Sequence, residues 1–229
     1  MKTLIILLIS GISFLLNAQT YKVVKITGSV KSQKDTEEKW NDVKQGDLLN
    51  SDYVIVTDDK SSIVLSNEKN KFTLKEASAV NISRLKKLSI DELLLALAME
   101  NIISTPKPKK EGKSKSTAVY GTKVGGRNNL HIISDNFGVK KLNGAVQLAE
   151  NGFKESAIVA AKETFRKYPE TNTLIPYRIY FADILNDLGL YEEAYGEFSE
   201  IKKLELTPDE KSKVEERLNQ IGKKFSMNK

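Results

Sequence analysis

Along this chain the spacing of apolar side chains changes near residue 138. Between Ile26 and Ile82 they come in short runs such as Tyr53-Val54-Ile55-Val56-Thr57, where successive side chains alternate along a pleat. Polar clusters at Asp58-Asp59-Lys60 and Asn67-Glu68-Lys69-Asn70 break the runs where hairpins need polar tips. The first half therefore reads as short strands joined by tight turns, Gly46-Asp47 among them. From Gly138 onward the period is helical, and one helical hairpin is followed by a similar one. Asn151-Gly152-Phe153, then Ser156-Ala157 and Pro169, parallels Leu188-Gly189-Leu190-Tyr191-Glu192-Glu193-Ala194, then Phe198 and Pro208. Glycine lets the chain turn sharply between two helices, a small alanine lets their backbones approach, and proline ends the second helix.

Two further helices are punctuated by their caps. Ser89 followed three residues later by Glu92 has the capping-box spacing, and Ile90 to Ile103 then forms an apolar-rich helix. Ile90, Leu93, Leu94 and Leu97 share one face, with Leu95, Met99 and Ile102 extending it, so the helix is expected to cover the open end or face of the strand region. At the other end Thr207 is an N-cap, Pro208 a first helical residue and Glu210 the capping-box partner. Val214, Leu218 and Ile221 then recur on one side of a closing helix whose other faces are charged, with Glu215 and Arg217 among them.

The strand region resembles the periplasmic β-domain of the FecR family over about residues 21–125. The likeness rests on Gly46-Asp47-Leu48-Leu49, Asp52-x-Val54-x-Val56-Thr57 and the serine-led strand Ser62-Ile63-Val64-Leu65, with Gly28-Ser29-Val30, Trp40 and Val43 before them. Asn67-Glu68-Lys69-Asn70 stands where that family has an Asp-Gly hairpin, and Val119-Tyr120-Gly121-Thr122 where it has Val-Arg-Gly-Thr, so any contact of that arginine is not carried over. The helical half, about residues 138–225, is similar to tetratricopeptide repeats: Ala157 and Ala194 are 37 residues apart, near the 34-residue period of that repeat. Together these imply an α+β chain in two parts. A small, mainly antiparallel β-domain over 19–134 carries an inserted helix, 90–103, and is followed over 135–229 by an all-α array of helical hairpins with a capping helix.

The N-terminus reads as an export signal. Met1-Lys2 is a short positive region, Leu4 to Leu16 carries no charge, and Leu16-Asn17-Ala18 before Gln19 has the small-residue pattern of a cleavage site. The uncharged run falls short of the ~20 apolar residues that cross a bilayer. Residues 1–18 are thus expected to be removed, which places the protein in the periplasm or outside the cell. The chain contains no cysteine, which rules out a disulfide framework. Removing the signal takes one lysine and no acid, so the formal charge goes from +6 to +5. Part of that excess sits in a lysine-rich loop over 106–116, which has no apolar anchor through Lys115 and reads as an exposed linker before a last strand, Thr117 to Lys123, and a Gly125-Gly126 turn.

Chemistry is sparse. With His131 as the single histidine and no cysteine, no Cys-His pair or multi-histidine metal site can form, and no nucleotide-binding fingerprint is present. His131 itself lies in the strand-like run Leu130-His131-Ile132-Ile133. The expectation is a non-enzymatic interaction or scaffold protein without cofactor or metal. Its expected partner is another envelope protein, and export removes nucleic acid from consideration. Candidate contact residues are Tyr177, Tyr180, Tyr191 and Tyr195, although aromatic side chains at helical spacing also build cores. In the loop, Lys107, Lys109 and Lys110 are candidates to meet a cell-wall polymer or an anionic membrane surface. Two other readings stay open: a soluble accessory of FecR-type envelope signalling, and a cell-wall or glycan-binding module.

Overall fold

Eight short strands follow one another through the first half: β1 (Tyr21–Thr27), β2 (Val30–Lys34), β3 (Asn41–Asp42), β4 (Leu48–Leu49), β5 (Tyr53–Thr57), β6 (Ser62–Ser66), β7 (Lys71–Leu74) and β8 (Ala79–Asn81). In this computed structural model, which describes residues 20–34, 37–104 and 137–227, they form two antiparallel sheets. The first has the order β4-β1-β6-β7 and the second β3-β2-β5-β8. Val23, Ile63 and Leu65 of the first sheet and Val30, Ile55 and Val80 of the second belong to one buried core. Gly46-Asp47 forms the expected turn, in which the Asp47 carboxylate accepts the Lys44 N–H at 2.8 Å.

The two polar clusters play different parts. Asn67-Glu68-Lys69-Asn70 is a hairpin tip between β6 and β7, held by the Asn67 side-chain oxygen, which accepts the N–H of Lys69 at 3.0 Å and of Asn70 at 2.7 Å. Asp58-Asp59-Lys60 is not a hairpin tip. Both edges of β5 are already paired, with β2 on one side and β8 on the other, so the chain crosses there to the first sheet. Alternation along β5 is also lost, since Val54 to Thr57 are all buried. The physical reason is a second cover: the helix Phe137–Glu150 packs on the neighbouring β8 and the turn Ile82–Arg84 on β5, where an isolated β-domain would meet water.

Six α-helices are described: α1 (Ile90–Ser104), α2 (Phe137–Glu150), α3 (Lys154–Lys167), α4 (Ile175–Asp187), α5 (Tyr191–Ile201) and α6 (Pro208–Met227). The protein is thus an α+β fold in two parts, and a single hydrophobic core runs through both. Helices α2 to α6 pack each on the next. The turns α2–α3 and α4–α5 are alike in detail. Gly152 and Gly189 have φ of 84° and 80°, a region that a Cβ disfavours, and the following N–H groups of Phe153 and Leu190 reach back to the carbonyls of Leu148 and Leu185. Ala157 and Ala194 are fully buried. At α6 the expected cap is present: the Thr207 N–H donates to the Glu210 carboxylate at 2.9 Å and the Glu210 N–H to the Thr207 hydroxyl at 3.3 Å. Val214 and Ile221 are buried on its inner side.

What joins the two parts is α2. Its Leu142, Ala145, Leu148 and Ala149 enter the core, while a polar row beside them binds the end of the second sheet. Lys140 Nζ donates to the Thr57 carbonyl at 3.1 Å, Asn143 Nδ2 to the Ala77 carbonyl at 2.7 Å, and Gln147 Nε2 to Ser78 Oγ at 2.7 Å. Gln147 Oε1 accepts the Lys75 N–H at 2.5 Å, which satisfies a backbone donor next to β7. The lysine-rich loop, the strand expected at 117–123, the Gly125-Gly126 turn and residues 1–18 lie outside the described residues.

Candidate functional site

Helix α1 starts as its sequence implies. The Ser89 N–H donates to the Glu92 carboxylate at 2.8 Å, which holds that carboxyl below its ordinary pKa, and the Glu92 N–H donates to Ser89 Oγ at 3.2 Å. Its seat differs from the expected one. α1 lies along α3, while α2 packs on the edge strands β8 and β7, and Arg166 of α3 clasps Glu100 with Nε at 2.6 Å. Only Leu93 and Leu97 are buried by this packing. On the far side Leu95, Met99, Ile102 and Ile103 are 64%, 54%, 74% and 58% exposed. These four recur at i, i+4, i+7 and i+8, one face of a helix, so they form a continuous apolar strip in water.

A second feature lies between β8, α2 and α3, where the chain leaves a cleft of about 180 Å³. Val54, Val80 and Leu148 give it an apolar wall, and Phe137 and Tyr168 add two rings that meet edge to face at 5.9 Å. Trp40 in turn packs on Phe137 at 6.1 Å. The charged wall has three cations and one acid. Glu163 binds Arg84 Nη2 at 2.8 Å and Lys167 Nζ at 2.6 Å. Burial alone would raise the Glu163 pKa, but these two donors overcome it and bring it down to about 2. Lys141 completes the set, its ammonium donating to Asn81 Oδ1 and standing 5.4 Å from the Phe137 ring centre. The Nε–H of Arg84 is buried and has no acceptor among the described residues.

The four candidate tyrosines are not brought together. Tyr177 faces α2, its hydroxyl donating to Asn143 Oδ1 at 2.5 Å, whereas Tyr180 packs edge-on against its own α4 neighbour Phe181 at 5.2 Å. Burial raises the pKa of both phenols, with Glu150 adding to the effect at Tyr180. Tyr191 and Tyr195 face α6 instead, Tyr191 under the Lys224 ammonium at 4.2 Å and Tyr195 against Phe225 at 5.9 Å. The fully buried Ala194 between them points inward. Lys107, Lys109, Lys110 and His131 lie outside the described residues. The sequence offers the apolar stripe of α1 as a core face or a partner-binding face, and it offers nothing for the cleft. The strip had a signal, because α1 is apolar around most of its circumference; the cleft joins Arg84, Lys141 and Lys167 from three separate elements, which no local pattern connects.

Among the described residues no helix is long and apolar enough to cross a membrane, and no group of three or more His, Cys, Asp or Glu side chains could hold a metal ion. Comparison of the chain with protein-family models, curated proteins and solved structures finds no match.

Proposed function

We propose that this is a non-enzymatic, exported interaction protein whose FecR-like β-part and tetratricopeptide-like helical array hold α1 outward as a docking strip for another envelope protein. The observation that carries the reading is the exposed row Leu95, Met99, Ile102 and Ile103. Four large apolar residues on one helix face leave unfavourable contact with water that a partner relieves, at roughly 25 cal/mol per Å² covered. Charge selects the occupant. α1 carries Asp91 and Glu92 at its start and no basic residue, with Glu100 already paired to Arg166, which disfavours an anionic lipid surface and favours a protein segment whose apolar residues are bordered by lysine or arginine.

The test places a photo-crosslinking residue at Met99 in cells that export the chain. The expected product is a crosslink to a second protein of the envelope whose contact segment is apolar with basic flanks. It should be lost when Leu95→Lys and Ile102→Lys are added, while thermal unfolding of the purified protein stays within about 1 °C, because exposed positions carry little packing energy. Crosslinks formed only within the chain, only to a second copy or only to lipid would overturn the reading. Export is checked on the same cells: the mature chain should begin at Gln19 and leave with the osmotic-shock fraction.

A further inference from the structure

The strands of the first sheet turn a basic face outward, and no acid stands on it. Tyr21, Val23, Ile63, Leu65, Phe72 and Leu74 point inward and fill the core. Their neighbours on the other side of the pleat form two rows across the strands: Leu48, Lys22, Ser66 and Lys71 in one, and Lys25, Val64 and Thr73 in the next. A β-bulge decides this arrangement. In a regular strand Lys22 and Lys25, three residues apart, would point to opposite faces. The register of β1 against β6 slips between Val23 and Lys25, so Val24 and Lys25 together oppose Val64 and both reach the outer face. Lys22, Lys25 and Lys71 are exposed, and among the described residues none of the three has an ion-pair partner. Lysines elsewhere are matched, Lys75 with Glu150, Lys140 with Asp58 and Lys162 with Glu197. Of the acids bordering the face, Asp47 is turned to the Lys44 N–H and Glu68 sits in the hairpin tip beyond Ser66. Two apolar side chains share the face. Leu48 is 64% and Val24 42% exposed, and because Leu48 pairs with Lys22 the two are diagonal neighbours about 7–8 Å apart.

We infer that this face lies flat on an anionic lipid surface, with Lys22, Lys25 and Lys71 at the headgroup phosphates and Leu48 and Val24 entering the boundary with the acyl chains. The layout suits a plane of anions better than a thread. Lys22 and Lys71 lie two strands apart, about 10 Å, and Lys25 is displaced from that line along β1, so the three mark a triangle. A linear polyanion follows one row of charges, whereas a plane of phosphates meets all three at once. Hydrocarbon beneath the headgroups also covers Leu48 and Val24, which a soluble polyanion leaves in water. Each lysine near such a surface strengthens binding about fivefold, and with so little apolar area the attachment is reversible and weakens with salt. Neither α1 nor its strip contributes to this face.

Co-sedimentation of the whole mature protein with vesicles measures the contact, using phosphatidylglycerol and phosphatidylcholine in equal parts against phosphatidylcholine alone. Binding is expected to the first only and should fall as salt is raised. Lys22→Gln, Lys25→Gln and Lys71→Gln combined should weaken it on the order of a hundredfold. Lys87→Gln, Lys154→Gln and Lys211→Gln take the same charge from exposed positions off this face and should change it less than about threefold. Leu48→Ser with Val24→Thr should weaken it several-fold with every charge in place. Melting temperatures should stay within a few degrees of wild type, because the substituted positions are exposed. Since the chain has no cysteine, Leu48→Cys gives a single site for an environment-sensitive dye, whose emission should shift to the blue on anionic vesicles. The same dye at Lys211→Cys should not respond. Equal effects of the two lysine sets would overturn the assignment of this face, as would a dye at Leu48→Cys that stays silent while the protein binds. Binding to soluble polyphosphate as tight, per phosphate, as to the vesicles would overturn the lipid, and no binding to anionic vesicles would overturn the whole proposal. None of these outcomes involves Met99 or the strip around it.

Discussion

Gly144 of α2 passes so close beneath the Ala79 carbonyl of β8 that a Cβ added to it would stand 1.9 Å from that oxygen. Glycine inside a helix costs roughly 1 kcal/mol relative to alanine, and here the absence of a side chain lets helix and strand backbones meet. Gly144→Ala should therefore push α2 off the second sheet and destabilise the protein by about 2 kcal/mol or more, because the atom in the way is backbone and cannot rotate aside. Gly196→Ala and Gly222→Ala, where an added Cβ meets nothing within 4 Å, should be neutral or stabilising by about 0.5–1 kcal/mol. Urea unfolding of the three variants measures the contrast. Equal effects would mean that the contact between α2 and β8 is looser than described.

Gln147 tests the same joint through hydrogen bonding. It is buried, accepts the Lys75 N–H and donates to Ser78 Oγ. Gln147→Leu keeps the volume and removes both bonds, leaving a backbone donor beside β7 without its acceptor. The expected loss is about 1–3 kcal/mol, with faster hydrogen exchange at the Lys75 amide, and Gln147→Glu should be milder because an oxygen can still accept that N–H.

The helix crossing at Ala194 is a third point of leverage. Its side chain is fully buried between α4 and α5, so Ala194→Leu should overpack the crossing and cost about 1–3 kcal/mol. Glu192→Leu, on the exposed side of α5, should change stability by less than about 0.5 kcal/mol. Glu193 is half-buried and serves less well as the control. Melting followed by circular dichroism near 222 nm compares the pair.

Glu163 gives stability a pH dependence. Its pKa falls from an ordinary 4.5 to about 2: burial opposes the shift, and Lys167 and Arg84 bring it about. Since the folded pKa is the lower one, the contribution is fully present above about 4.5 and is lost as pH falls toward 2. The shift corresponds to at most about 3 kcal/mol, and screening at the half-exposed Lys167 reduces this to roughly 1–2 kcal/mol. Glu163→Gln should show that deficit in urea unfolding at pH 7. The gap between variant and wild type should close by pH 2, and a gap that widened with acid would contradict the ion-pair origin of the shift.

Local order was legible in the sequence wherever neighbours in the chain decide it. The capping boxes Ser89–Glu92 and Thr207–Glu210, the turn at Gly46-Asp47, the sharp turns at Gly152 and Gly189 and the small buried Ala157 and Ala194 each depend on groups a few residues apart, whose geometry is set by backbone sterics and short-range hydrogen bonds. The α+β class followed from the change of apolar period at about residue 138. Tertiary structure decided everything that depends on which surfaces meet. Asp58-Asp59-Lys60 crosses between sheets because β2 and β8 already pair with both edges of β5, a competition between segments far apart in sequence. α1 lies on α3 and α2 packs on β8 and β7, an arrangement that leaves part of an expected core stripe as an exposed strip. The cleft exists only where Arg84, Lys141 and Lys167 converge from separate elements, and the charges that define it are ordinary surface residues until long-range packing places them together.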